Sequence, residues 1–140
     1  MERPGVGLGV IIMRGGNEVL LGKRKGSHGA GTWECPGGHL EFYEKFKDCA
    51  LREPKEETGL TDKNIEIIDE HPVAVTNDMF LADGKHYVTL FFRAKYISGE
   101  PKVMEDFCEQ WGWFDWNDLP YPLFSGVQEL KERGYNPFEK

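Results

Sequence analysis

Gly38-His39-Leu40-Glu41-Phe42-Tyr43-Glu44-Lys45-Phe46-Lys47-Asp48-Cys49-Ala50-Leu51-Arg52-Glu53-Pro54-Lys55-Glu56-Glu57-Thr58-Gly59-Leu60 is the stretch on which the fold turns. Residues 45–58 carry good helix formers, and Gly59 suits the position just past a helix end. In that helix Glu53, Glu56 and Glu57 stand at i, i+3 and i+4, so the three carboxylates share one face. Like charges there repel, and they crowd the last turns, where the helix dipole disfavours anions. An isolated E-x-x-E-E is ordinarily a solvated acidic face, here with Lys45, Lys47 and Lys55 nearby. A hard divalent cation reverses that balance. Mg²⁺ binds through carboxylates plus substrate phosphates, polarises a phosphoryl oxygen and lowers the pKa of an attacking water.

The formal charge of −7 at pH 7 argues against a nucleic-acid polymer as partner, since such binding draws on a basic face. It also requires that any polyanion be met by local cations, either bound metal or a few placed Lys and Arg. The 140 residues suit one domain, 1–140, with 39% hydrophobic and 29% charged residues, as in soluble globular proteins. The longest apolar runs, such as Val10-Ile11-Ile12-Met13, are far short of a membrane span. No secretory signal pattern precedes the first strand-like run. Three scattered cysteines, Cys35, Cys49 and Cys108, without a C-x-x-C pair, speak against a disulfide framework or zinc site and fit a reducing, cytoplasmic location.

Outward from the helix, the pattern predicts a strand over Val6 to Met13, a turn at Gly15-Gly16-Asn17 and a second strand at Val19 to Gly22. A glycine-rich loop, Gly26 to Gly31, leads to a short strand over Thr32 to Cys35, which Pro36-Gly37-Gly38 breaks. Further strands are expected at Ile65 to Ile68, Val73 to Val75, His86 to Tyr96 and Trp111 to Phe114, and a closing helix at Leu123 to Glu132. No regular βαβ rhythm connects them. The fold class is therefore α/β, a mixed sheet packed between helices.

Gly38, Glu44, Arg52, Glu53, Glu56, Glu57, Gly59 and Leu60 together match the Nudix box, G-x5-E-x7-R-E-U-x-E-E-x-G-U, where U is bulky and apolar. Outside the box, Leu21 to Ser27, Pro36 to Phe42, His86 to Thr89 and Gly134 to Phe138 resemble the MutT-type branch. They are most similar to its eukaryotic-like members acting on guanine or modified-guanine nucleoside triphosphates, whose plant relatives also cleave a prenyl diphosphate. The resemblance implies a Nudix α/β/α sandwich with the box as a loop–helix–loop at the active site. It implies a Mg²⁺-dependent pyrophosphohydrolase, with Mn²⁺ as substitute, that releases a monophosphate and pyrophosphate from a small phosphorylated substrate. A homodimer follows by analogy only. The alternatives are the same chemistry on a prenyl diphosphate or sugar nucleotide, or a catalytically weak binding protein on this fold.

By the same resemblance, Glu53, Glu56 and Glu57 are expected to hold the metal with the Gly37 carbonyl, and Glu105 to add a further carboxylate. Glu53 and Glu57 are the catalytic candidates, Glu53 as a base for the attacking water. Glu44 and Arg52 support them, the Arg52 fork holding carboxylates in place. Arg24, with Lys23, is the candidate phosphate contact, and His39 a further one. His86, Thr89 and Phe124 are placed at the base pocket.

Three departures stand out. Pro54 occupies a box position that is bulky and apolar in relatives, and removes a helical hydrogen bond to Ala50. Tyr43 stands where relatives carry Gly, a position suited to φ > 0. Ser125 stands where nucleotide-cleaving relatives place a Trp, which leaves the base preference open.

Overall fold

A computed structural model describes residues 2–26 and 28–139; Ser27 of the glycine-rich loop, and the ends Met1 and Lys140, lie outside the described residues. At its centre β1 (Gly5–Arg14) and β7 (Lys85–Tyr96) run parallel, in register from Gly5 opposite Tyr87 to Met13 opposite Lys95. β2 (Glu18–Arg24) returns antiparallel to the far end of β1 and then pairs with β3 (Trp33–Glu34) and β8 (Cys108–Asp115). β4 (Gly37–His39) pairs with the near end of β1, while β5 (Ile65–Ile67) and β6 (Ala74–Phe80) pair with β7. One mixed sheet results, of order β3-β2-β1-β7-β5 with three branching strands.

Strand alternation sends residues to two cores, one per face. Leu8, Val10 and Ile12 of β1 and Phe92 and Ala94 of β7 pack with Cys49 and Ala50 of α1 (Phe46–Thr58). Ile11 and Phe91 point the other way, into a core with Val127 and Leu130 of α2 (Ser125–Glu132). The α/β/α sandwich expected from the sequence is the architecture seen.

Four expectations on element bounds are corrected. Pro36-Gly37-Gly38 ends β3 but also starts β4, because residues without a Cβ allow the backbone to reach β1. A Cβ on Gly37 would lie 2.0 Å from the Leu8 carbonyl oxygen. The strand expected at Val73 to Val75 runs instead over Ala74–Phe80, because β7 offers a continuous ladder out to Lys85. β8 starts at Cys108 rather than Trp111, since Arg24 pairs with Cys108 across a register shift. The closing helix begins at Ser125, not Leu123. Trp33 donates its N–H to the Pro122 carbonyl and Phe124 donates to the Trp33 carbonyl, which keeps residues 122–124 extended beside β3.

Pro54 does not end α1, which continues through it to Thr58 and stops at Gly59 (φ 80°). Tyr43 has φ 63°, the one non-glycine residue with positive φ among those described. None of the described helices is long and apolar enough to cross a membrane.

Candidate active site

Arg52 organises the acidic face of α1. Its Nε donates to Glu44 Oε2 (2.7 Å) and its Nη2 to Glu44 Oε1 (3.0 Å) and to the His39 carbonyl (2.9 Å). Its Nη1 reaches Glu53 Oε1 (2.7 Å) and Glu56 Oε1 (3.3 Å). One planar fork thus ties the helix to the loop before it. The Arg52 guanidinium beside Glu44 holds that carboxyl down at about 2.

Glu57 lies a turn below Glu53 and is buried, its Oε1 accepting the Gly37 N–H (2.9 Å). Burial pushes its carboxyl up to about 10, against the pull of that hydrogen bond; Glu34, Glu53 and Glu105 push it further. Burial also raises Glu53, despite Arg52, with Glu56 and Glu105 adding to the effect. Glu105 arrives from the segment after β7. The Lys102 and Met104 N–H groups cap the Thr58 and Glu57 carbonyls at the end of α1, which brings the exposed Glu105 to the same cavity rim.

These observations bear on whether a divalent cation fits. Among the described residues no three His, Cys, Asp or Glu side chains converge into a ready-made metal cage. Mg²⁺ does not require one, since it keeps several waters and uses one or two carboxylates plus substrate phosphates. Two buried glutamates, both raised by burial and flanked by two more carboxylates, are a donor set whose ionised form a cation would favour. The residues fit the ion.

Glu53, Glu56, Glu57 and Glu105 line one cavity of about 480 Å³ together with Gly37, Gly38 and His39. From the opposite wall come Arg24, Thr89 and Phe124. The floor is bare by design of β1. Gly7 and Gly9 face it, and Gly5 and Gly9 sit under the Tyr87 and Phe91 rings, which a Cβ would meet at 2.9 and 2.6 Å.

Two of the expected substrate contacts lie elsewhere. Lys23 is half-buried on β2, outside the cavity lining, because alternation turns it away when Arg24 turns in. His86 contacts Asn77 Oδ1 (2.5 Å) on the opposite face from Thr89. Positions 86 and 89 differ in parity, so one strand cannot present both to one pocket. Arg24, expected as a phosphate contact, is committed locally: it pairs with Glu34, donates to the His28 carbonyl (3.0 Å) and stacks over Phe124 (4.5 Å). His39 is exposed at the rim, its Nε2 3.3 Å from the Tyr87 hydroxyl.

The cavity also holds residues that were not anticipated. Glu34 is half-buried, raised by burial against the pull of Arg24. Phe80 stacks on Phe124 (5.2 Å), with His28 edge-on to both. Asp78 is 2% exposed and accepts hydrogen bonds from Thr76 and Thr89 at Oδ2 (both 2.7 Å) and from Ser125 at Oδ1 (2.6 Å). The alternation Thr76, Asp78, Phe80 was a usable signal, hidden because the strand was expected to stop at Val75.

The comparisons agree with this architecture. Over 112 residues the chain is 31% identical to "Oxidized purine nucleoside triphosphate hydrolase" of Danio rerio, spanning 80% of this chain and 67% of that one. It is equally 31% identical over 129 residues to "ADP-ribose pyrophosphatase" of Methanocaldococcus jannaschii, spanning 92% and 72%. The crystal structure of a MutT NUDIX hydrolase from Burkholderia pseudomallei superposes with TM-score 0.80 at 36% identity, over 95% of this chain and 99% of that one. Residues 3–133 match the NUDIX domain family, so the chain belongs to the Nudix superfamily, in its MutT-like branch, and is a hydrolase.

Proposed function

We propose that the protein hydrolyses the diphosphate linkage of a nucleoside triphosphate, releasing the monophosphate and pyrophosphate, with Mg²⁺ as cofactor and Mn²⁺ as substitute. One observation carries this reading. A single cavity joins a cluster of partly buried carboxylates to an aromatic wall that carries a buried hydrogen-bond acceptor, Asp78. Such a cavity suits a molecule that is polyanionic at one end and a flat polar ring at the other.

Glu53, Glu56, Glu57 and the Gly37 carbonyl would hold the ion, with Glu105 at the rim. The ion supplies charge neutralisation at the phosphoryl oxygens and a lower pKa for the attacking water. Glu53 faces the cavity and can take the water's proton. Arg52 and Glu44 act through it: the fork fixes the Glu53 carboxylate, and Glu44 fixes the fork. His39 and the exposed Lys85 line the cavity and offer donors to phosphate oxygens. Arg24 covers the face of Phe124 and stiffens the ring-binding wall. The equal identity to an ADP-ribose pyrophosphatase favours a second reading, the same attack on a nucleoside diphosphate joined to a sugar.

The test is a panel of nucleoside triphosphates, nucleotide sugars and a prenyl diphosphate with Mg²⁺, scored for phosphate and pyrophosphate, with Glu57→Ala as control. Pyrophosphate release from nucleoside triphosphates, absent in the variant, is expected. Turnover confined to other diphosphates would overturn the reading.

A further inference from the structure

We propose that Asp78 is the residue that selects the substrate's base, by accepting a hydrogen bond from an N–H on the base edge. The proposal rests on the nucleotide reading above and deepens it. A carboxylate presents about four lone-pair sites. Three are taken, by the Thr76, Thr89 and Ser125 hydroxyls. Asp78 nonetheless lines the cavity, so its free acceptor site opens toward the ligand.

The surroundings define what can use that site. Phe91 lines the same cavity as Asp78, and Phe80 and Phe124 stack in its wall. A flat ring fits against these aromatics, and only a ring with an N–H donor on its edge satisfies the acid. An apolar prenyl chain would leave that last acceptor site without a donor and cut off from water, a penalty that disfavours it. Ser125 gains its meaning here. A Trp at that position would offer a ring to stack on; the serine instead offers a hydroxyl that fixes Asp78 from the first turn of α2. Recognition in this chain thus rests on a buried acceptor where stacking on a helix-borne indole is absent.

The obvious variant is well behaved by design. Asp78→Asn is nearly isosteric, and its amide can donate to hydroxyl oxygens that reorient as acceptors, but it no longer presents two accepting oxygens. The experiment compares kcat/KM with Mg²⁺ across pairs of triphosphates that differ by one base donor: guanosine against inosine, guanosine against N1-methylguanosine, adenosine against purine riboside. In the wild-type protein at least one deletion is expected to lower kcat/KM by about tenfold or more, and in Asp78→Asn that ratio falls to within about threefold of unity. Wild-type ratios near unity in every pair, or a penalty that persists in Asp78→Asn, would overturn the proposal. If that variant does not fold, Ser125→Ala, which removes one hydroxyl that fixes Asp78, takes its place: a ratio reduced toward unity supports the proposal and an unchanged ratio overturns it. Cleavage of non-nucleotide diphosphates but of no nucleotide would bring down the functional reading itself, an outcome distinct from indiscriminate cleavage of all nucleotides, which overturns only the role of Asp78.

Discussion

Gly37 and Gly38 are neighbours, yet a methyl group at each meets a different obstacle. At Gly37 it would sit 2.0 Å from a β1 backbone oxygen, and the paired strands cannot part without losing hydrogen bonds. At Gly38 it would sit 2.3 Å from Glu53 Oε2, the end of a side chain that can give way by loosening its bond to Arg52. Gly37→Ala is therefore expected to lower the Tm clearly. Gly38→Ala should keep the Tm within a few degrees while Mn²⁺ affinity falls by roughly tenfold, because a group that positions a ligand has been displaced. Calorimetric titration with thermal melts separates the two; equal loss of stability in both would refute the distinction. Arg52→Lys belongs to the same scale. An ammonium cannot span Glu44, Glu53 and the His39 carbonyl at once, so the variant should lose about 2 kcal/mol in denaturant melts together with most of its kcat.

At the scale of the element, α1 carries a strained entry and a proline in its body. Tyr43 takes a left-handed backbone (φ 63°) with its side chain 93% exposed, so it keeps this conformation without burial in return. Tyr43→Gly should raise stability by about 1 kcal/mol, read as a shift in denaturant midpoint. Pro54 deprives Ala50 of a helical N–H donor, although the Pro54 carbonyl itself accepts from Thr58 Oγ1 (2.7 Å). The helix nonetheless runs on through Pro54, which is buried, to Thr58. Pro54→Leu restores the donor with a larger apolar side chain and should raise the Tm or the turnover, since an interior proline typically costs about 3 kcal/mol. A variant improved in neither would show that the packing around Pro54 already offsets the missing bond.

For the whole molecule, the acidic cavity couples stability to pH and, under the proposed function, to a divalent ion. Glu57 is raised from 4.5 to about 10, so the fold favours its neutral form; that contribution is complete below pH 4.5 and is lost as pH climbs toward 10. Glu44 runs the other way: lowered from 4.5 to about 2 by Arg52, it contributes above pH 4.5 and loses that contribution only as pH falls toward 2. Between pH 5 and 9 the Glu57 effect stands alone of the two. Metal-free protein is expected to melt at progressively lower temperature across that range, with a smaller slope in Glu57→Gln. Added Mg²⁺ or Mn²⁺ should raise the Tm more at pH 9 than at pH 5, because the ion binds the ionised carboxylates. A metal-free Tm that is flat or rising from pH 5 to 9 would contradict this coupling.

Spacing by itself determined the acidic helix α1. Glu53, Glu56 and Glu57 share a face because an α-helix turns once in 3.6 residues, and Gly59 ends it because αL backbone suits glycine; neither fact needs a tertiary contact. The strands at Val6 to Met13 and His86 to Tyr96 were legible as pattern too, but not their parallel pairing, which joins segments some eighty positions apart. Only the tertiary structure decided the aromatic end of the cavity. Arg24 was diverted to Glu34 across strands, Lys23 and His86 were turned away by parity, and Asp78 was brought to Ser125 from an element expected to have ended. The physical reason is one of range. Local backbone geometry fixes what lies within a turn of helix, while the partners of a buried polar group are chosen by whichever distant strands come to pair.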